Sequence, residues 1–248
     1  MKLTIAGASP SCPNPGGASA GYLFSGSGGR FLLDCGHGIA GAVQTYLPLD
    51  DLSAIVISHM HPDHFLDLLP LRYGLQFYGV ERLPLHLPPN GRDMLNGIEP
   101  ALGLPVGFFA DRYDISEYQV DSSLSVAGLE LTFFPTQHFI PAYAVRVSDG
   151  PHSLFFSADT GPNQGVVDFA RGADLGLVEA TYETEDEDVE HPGHMSGTQA
   201  GALAREAQVG RLLLTHYWIP YAETVLSEAR EAFAGQVDLA EQGATYTL

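Results

Sequence analysis

Ile57-Ser58-His59-Met60-His61-Pro62-Asp63-His64 places three histidines and one aspartate within six residues, directly after the apolar run Ala54-Ile55-Val56-Ile57. The run is uninterrupted and rich in β-branched residues, as a buried strand is, and Phe65-Leu66-Asp67-Leu68-Leu69 beyond it has helical spacing. The cluster therefore sits at the carboxyl end of a strand, where the loops of an open α/β layer converge on a crevice. Neutral imidazole with carboxylate suits zinc, manganese or iron, and the lack of thiolates argues against a closed structural zinc site. With ten His in 248 residues, His-x-His-x-Asp-His arises by chance about once in a thousand such chains. A metal-binding turn is the better account.

The rest of the chain alternates in ways that place this turn. Leu3-Thr4-Ile5-Ala6 is an opening strand, and the Gly/Ser/Pro-rich segment 7–20 is a loop over the site. Strands over 21–25 and 30–34 flank the hairpin signal Gly26-Ser27-Gly28-Gly29. A helix is expected over 39–47, and another from the turn to Tyr78, kinked or split by Pro70. A short strand at 85–87 and a weak helix at 93–99 follow, and then a strand-rich region over 113–156, with runs at 131–134, 143–147 and 153–156. Helices at 165–171, 198–207 and 222–233 then alternate with strands at 175–178, 211–215 and near Val237. Two β-rich stretches, each followed by helices, predict an α/β (α+β) fold. The expected architecture is a four-layer αβ/βα sandwich of two mixed β-sheets with helices outside, as a single domain over 1–248.

Composition narrows the setting. A formal charge of −19, from 30 acidic and 11 basic residues, repels polyanions and makes long nucleic acid a poor partner. Two cysteines, Cys12 and Cys35, form no disulfide framework and are expected as small core fillers in a reducing compartment. The opening Met1-Lys2-Leu3-Thr4-Ile5-Ala6-Gly7 is too short and too weakly basic for a signal peptide. No stretch approaches the roughly 18 apolar residues of a membrane span, so the expectation is a cytoplasmic protein with no membrane partner. The acidic run 183–190 is expected as a solvated loop, with a lid as the alternative.

One turn cannot complete a catalytic metal site. His138 follows the strand 131–134, Asp159 follows 153–156 and His216 follows 211–215, each at the same strand-end position as His59. In order, His59-x-His61-x-Asp63-His64, His138, Asp159 and His216 resemble the ligand set of the metallo-β-lactamase fold superfamily. Leu33-Asp34-Cys35-Gly36, Ser157-Ala158-Asp159-Thr160-Gly161, Glu179-Ala180-Thr181, His194-Met195-Ser196 and Leu214-Thr215-His216 are similar to the ribonuclease Z branch and its bacterial cyclic-nucleotide phosphodiesterase relatives. The resemblance spans almost the whole chain.

It implies two divalent metal ions, zinc first with manganese or iron also suited. His59, His61 and His138 would hold one, Asp63, His64 and His216 the other, and Asp159 would bridge them. Two such ions lower the pKa of a shared water and clamp attacking and leaving oxygens. The candidate catalytic residues are Asp63, His194 as proton donor to the leaving group, and Glu179 orienting it. Asp34 would fix a ligand imidazole, since ligating histidines usually donate their other N–H. Tyr73, Phe77, Phe139, Tyr217 and Trp218 could stack on a nucleobase, although the i, i+4 spacing of the first two favours core packing. His37, His86, His152 and His191 receive no role.

The chain also departs from the pattern. Val178 stands where ribonuclease Z has a His before Glu-Ala-Thr, and the twenty residues between His138 and Asp159 leave no room for that family's tRNA-gripping arm. The leading expectation is thus a phosphodiesterase on a small phosphodiester such as a cyclic nucleotide. A thioester, lactone or amide hydrolase, a ribonuclease Z-like RNA endonuclease and a non-catalytic metal-binding protein are the alternatives. A homodimer is expected from the resemblance alone.

Overall fold

In the computed structural model, residues 1–120, 122–186, 190 and 192–248 are described, and Glu185 by its backbone alone. The first half runs β1 (Lys2–Gly7), β2 (Gly21–Gly26), β3 (Gly29–Leu33), α1 (Ile39–Ala42), β4 (Ala54–Val56), α2 (Pro62–Phe65), α3 (Leu68–Phe77), β5 (Leu83–Leu87), α4 (Gly91–Ala101) and β6 (Tyr113–Glu117). The second runs β7 (Leu124–Val126), β8 (Leu129–Pro135), β9 (Tyr143–Ser148), β10 (Ser153–Phe156), α5 (Gln164–Ala170), β11 (Leu175–Glu179), α6 (Gly197–Glu206), β12 (Arg211–Thr215), α7 (Ala222–Ala232), β13 (Gln236–Leu239) and β14 (Thr245–Thr247).

Among the described residues these strands make two seven-stranded sheets, ordered β14-β1-β2-β3-β4-β5-β6 and β13-β12-β11-β10-β9-β8-β7. Both are mixed in the same way. The first passes from antiparallel β1–β2–β3 to parallel β3–β4–β5–β6, and the second from antiparallel β7–β8–β9–β10 to parallel β10–β11–β12–β13. Hairpins supply the antiparallel parts and helical crossovers the parallel parts, because parallel neighbours need a long connection.

Strand periodicity divides the core into three slabs. Phe31 and Leu33 point into the slab between the sheets while Leu32, one residue away, faces the helices. Leu154, Phe156, Leu177 and Leu213 meet the inner slab from the second sheet, and Phe155, Leu212 and Leu214 face its own helices. Tyr118 closes one end by stacking on Phe133, with centroids 3.7 Å apart. The four-layer sandwich expected from the sequence is the observed fold. Among the described residues no helix is long and apolar enough to cross a membrane.

Several local expectations differ. Pro70 does not split the helix after the turn; the break falls between α2 and α3. Pro70 is the third residue of α3, where a backbone N–H has no intrahelical partner and a proline costs nothing. The helix expected over 39–47 stops at Ala42 and tightens into a 3₁₀ turn over Val43–Thr45. Cys35 is buried as expected, whereas Cys12 is exposed in the loop 7–20. Tyr73 and Phe77 are 51% and 85% exposed, on the side of α3 away from buried Leu68, Leu71 and Leu75. Their spacing marked a helix face correctly, but the aliphatic face is the one that packs. Strand β14 lacked a sequence signal and forms by pairing with the edge of β1. Of the acidic run 183–190, residues 187–189 lie outside the described residues, as does His191.

Leu213 is fully buried between the sheets, so Leu213→Ala is expected to lower the unfolding free energy by about 2–5 kcal/mol. Urea denaturation should show a lower midpoint at an unchanged slope. A loss under about 1 kcal/mol would mean that the inter-sheet slab relaxes around the cavity.

Candidate metal centre and active site

Six strand ends deliver the site. His59 follows β4, Asp34 follows β3, His138 follows β8, Asp159 follows β10, Glu179 ends β11 and His216 follows β12. Three of these junctions turn through left-handed backbone at non-glycine residues: Asp34 at φ 62°, Ala158 at 50° and His216 at 56°. Such conformations persist only where the surroundings enforce them. Here backbone hydrogen bonds hold the turns: Asp34 N donates to Val56 O at 2.8 Å, continuing the β3–β4 ladder, and His216 N donates at 2.8 Å across to Ala8 O, just past β1.

The turn 57–64 is held from three sides. Tyr118 Oη donates to the carbonyls of Ile57 and Ser58 at 3.0 and 3.1 Å. The fully buried Asp34 carboxylate accepts from Ser58 N at 2.7 Å, Ser58 Oγ at 2.8 Å and His64 Nδ1 at 2.8 Å. Gly36 packs so closely under the turn that a Cβ there would lie 1.7 Å from Asp63 O. Pro62 opens α2 at a position suited to proline.

Those partners also set the histidine tautomers. A carboxylate or carbonyl oxygen only accepts, so His64 Nδ1 donates to Asp34 and His138 Nδ1 donates to Gly193 O at 2.7 Å. Ser58 Oγ and Thr181 Oγ1 spend their single protons on Asp34 and on Glu179 Oε2, the latter at 2.6 Å. They must therefore accept from His59 Nδ1 at 3.1 Å and His216 Nδ1 at 2.8 Å. Four imidazoles are thus left presenting Nε2 inward. His61 presents Nδ1, 2.9 Å from His138 Nε2.

These atoms converge in two groups around Asp159, one of His59, His61, His138 and Asp159, the other of Asp63, His64, Asp159 and His216. The buried Asp159 carboxylate lies 3.6 Å from His59 Nε2, 3.3 Å from His64 Nε2, 3.8 Å from His138 Nε2 and 3.5 Å from His216 Nε2. Asp63 Oδ2 is 3.2 Å from His216 Nε2 and 3.4 Å from His64 Nε2. All seven residues singled out in the sequence as ligands are brought together.

The donor set fits divalent cations. His59 Nε2 and His64 Nε2 are buried without a hydrogen-bond partner, a cost that a coordinated cation removes. Burial holds His59, His61 and His138 below the usual imidazole range, so they are neutral and able to ligate. Burial depresses His64 as well, but Asp159 and Asp34 outweigh it and raise the pKa well above the usual value. Positive charge is favoured at that point, and a cation supplies it. Burial would raise Asp159, yet His216 and His64 hold it well below the carboxylate range.

Beside the two groups stand His194 and Glu179. His194 Nδ1 lies 3.1 Å from both Glu179 oxygens. Burial opposes a charge on His194, but Glu179 prevails and the pKa is pushed up to about 9. Glu179 is itself fully buried and accepts from Thr160 N at 2.6 Å and Met195 N at 3.3 Å. Two residues past His194, Ser196 opens α6 with a capping box in which Ser196 Oγ and Gln199 serve each other's backbone N–H. That cap fixes the chain direction behind His194.

His61, Asp63, Asp159, His194 and His216 share a cavity of about 350 Å³ with Thr181, Tyr182, Trp218 and the loop residues Pro10 and Ser11. Of the aromatics considered from the sequence, Trp218 lines it. Phe139, 59% exposed, stands behind His138 at 5.1 Å between ring centroids, and Tyr217 is buried with its hydroxyl toward Ala240 O. Sequence reasoning missed Ser58, Thr181 and the Gly193 carbonyl as partners of the imidazoles. The first two carried a signal, a hydroxyl residue within two positions of a strand end.

Neutral imidazoles arranged around shared carboxylates at strand ends, with space left for a substrate, are the donor set of a metal-dependent hydrolase, and the sandwich that carries them is the metallo-β-lactamase fold. The chain belongs to the beta-lactamase superfamily domain family, whose model matches residues 29–217. It is 33% identical over 247 residues to the probable metallo-hydrolase YhfI of Bacillus subtilis (strain 168), covering 98% of each chain. The crystal structure of the metallo-beta-lactamase fold protein YhfI from the same species superposes with a TM-score of 0.88 at 30% identity, covering 99% of this chain and 98% of that one. A ribonuclease Z from Halorubrum lacusprofundi is 25% identical over 298 residues, covering 98% of this chain and 96% of the relative.

Two outcomes follow. Asp34→Ala removes the acceptor that fixes His64 and should weaken metal affinity about 10–100-fold, measured by competition with a chromophoric chelator; wild-type affinity would show that His64 is oriented by packing alone. Gly36→Ala should displace the turn and lower the bound metal measured by atomic absorption, with the far-UV circular dichroism kept. Undiminished metal content would mean that Asp63 can move without loss of its neighbours.

Proposed function

We propose that this hydrolase is a dimetal phosphodiesterase acting on a small phosphodiester such as a cyclic nucleotide. The observation that carries the reading is the His194–Glu179 pair, 3.1 Å apart, in the cavity it shares with Asp63, Asp159 and His216. Two divalent ions, zinc first and manganese or iron as alternatives, would be held by His59, His61, His138 and Asp159 and by Asp63, His64, Asp159 and His216. When bound they supply positive charge to the phosphoryl oxygens and acidify water.

The chain's own residues supply the rest. Glu179 holds His194 through Nδ1 and leaves Nε2 as the proton-bearing atom on the other side of the ring. The raised pKa of His194 keeps that proton in place at neutral pH, and an alkoxide leaving group needs it. Thr181 joins Glu179 to His216, so the proton donor and one prospective ligand share a single support. Glu179 serves that support and Asp63 the second metal group, the two other catalytic assignments.

Size and charge favour a small substrate. About 350 Å³ lies at the lower end for ligand cavities, and a net charge of −19 repels a polynucleotide more than a single diester. The ribonuclease name of the Halorubrum lacusprofundi relative agrees with phosphodiester chemistry while leaving the substrate length open. Two free cysteines fit a reducing compartment, and the cytoplasm is the proposed place of action.

The test is a panel of cyclic and linear nucleotide diesters, bis(p-nitrophenyl) phosphate, and thioester, lactone and amide substrates on protein replete with zinc or manganese. Diester turnover is expected, and His194→Ala should lower kcat about 10²–10⁴-fold while both metal equivalents remain. Full activity of that variant would remove His194 from the chemistry, and turnover of carbonyl substrates alone would reverse the substrate class.

A further inference from the structure

Trp218 is the chain's one tryptophan. It stands two residues past His216, half-buried, and lines the cavity that holds His194 and Asp159. Among the described residues no other ring packs on the indole, whereas the neighbouring Tyr182 ring meets His194 edge-on, centroids 5.6 Å apart. Tyr217, its predecessor, turns the opposite way into the core behind the second sheet.

The backbone around Trp218 is unusually well held for a loop. The carboxamide of Asn14 straddles it: Nδ2 donates to Tyr217 O at 2.9 Å and Oδ1 accepts from Ile219 N at 3.0 Å. A single side chain thus pairs with the peptide groups on both sides of one residue, 203 positions away in the first of these contacts. Trp218 O in turn accepts from Tyr221 N at 2.9 Å. Asn14 is 9% exposed, lies between Pro13 and Pro15, and is anchored by its own N–H to Ser9 Oγ at 3.0 Å and by Gly17 N to its carbonyl at 2.8 Å. Of the common side chains, only an amide offers one donor and one acceptor in this fork.

We infer that Trp218 is the specificity-determining wall of the cavity, stacking on the planar base of a nucleotide diester, and that Asn14 is the positioning residue that fixes it. This deepens the phosphodiesterase reading and rests on it for the identity of the scissile group. A cavity walled by imidazoles and carboxylates recognises a phosphoryl group and says nothing of what the phosphate carries. The indole supplies that missing contact, because every base has a π-face and stacking on an aromatic side chain is strong without depending on base identity. A platform is useful only when its plane is fixed relative to the reacting atoms, and the Asn14 fork beside His216 provides that.

The test uses metal-replete protein and two diesters with the same leaving group, p-nitrophenyl thymidine 5′-phosphate and methyl p-nitrophenyl phosphate. Trp218→Ala should reduce the ratio of their kcat/KM values about tenfold, mainly through KM for the thymidine ester. Asn14→Ala should reduce the same ratio, shift the Trp218 emission to the red and raise its quenching by acrylamide, with metal content retained. Independently of turnover, thymidine 5′-monophosphate should quench wild-type fluorescence saturably, since the signal comes from this one side chain. An unchanged ratio in Trp218→Ala, or the absence of saturable quenching, overturns the proposal. Saturable quenching without hydrolysis of either ester would uphold the platform and overturn the phosphodiesterase reading instead.

Discussion

A carboxylate buried among imidazoles is the constraint from which the rest of this site follows. Asp159 is 2% exposed and has Nε2 atoms of four histidines within 3.8 Å. Taking a carboxylate out of water costs several kcal/mol unless compensating charge and hydrogen bonds surround it. That compensation comes from residues separated widely in the chain, and each needs its own oriented support: Asp34 and Ser58 behind His64 and His59, Gly193 behind His138, Thr181 behind His216. Asp34, Ser58 and Thr181 lie just past β3, β4 and β11, and Gly193 in the segment before α6.

The backbone shares in this arrangement. Left-handed residues at Asp34, Ala158 and His216 bend the chain sharply out of β3, β10 and β12. None is glycine, and each such residue carries a conformational cost of about 1–3 kcal/mol. The cost falls at or directly before Asp34, Asp159 and His216, the residues these strand ends bring to the site. Among the described residues three more non-glycine residues have positive φ, Asn90 before α4, Ala127 in the turn after β7 and Gln208 after α6, so half of the six gather where the chemistry is.

Much of this was legible in the sequence because two simple signals coincide. Apolar runs such as 54–57, 153–156 and 211–215 mark strands, and His59, Asp159 and His216 directly beyond them mark strand ends. Position and chemistry together name the candidate ligands without any knowledge of distance. Asp34 was within reach for the same reason. What was hidden depends on tertiary pairing: β14 has no pattern of its own and exists because β1 offers an open edge. Tyr73 and Phe77 show a helix face but not which face is covered, and only the packing of Leu68, Leu71 and Leu75 decides that. Asn14 is a turn former between prolines in the sequence, and its fork on the 217–219 segment is invisible until the first and last parts of the chain meet.

The division of the candidate ligands between the halves has a thermodynamic side. His59, His61, Asp63 and His64 come from the first half of the chain, and His138, Asp159 and His216 from the second, so each group draws on both. At this edge the backbones of the two halves touch through the isolated bridge between His59 and Ala142. An ion held by either group is therefore a cross-brace between the sheets, and its binding free energy is linked to their separation by mass action. Cation supply and mechanical cohesion of the sandwich become one variable.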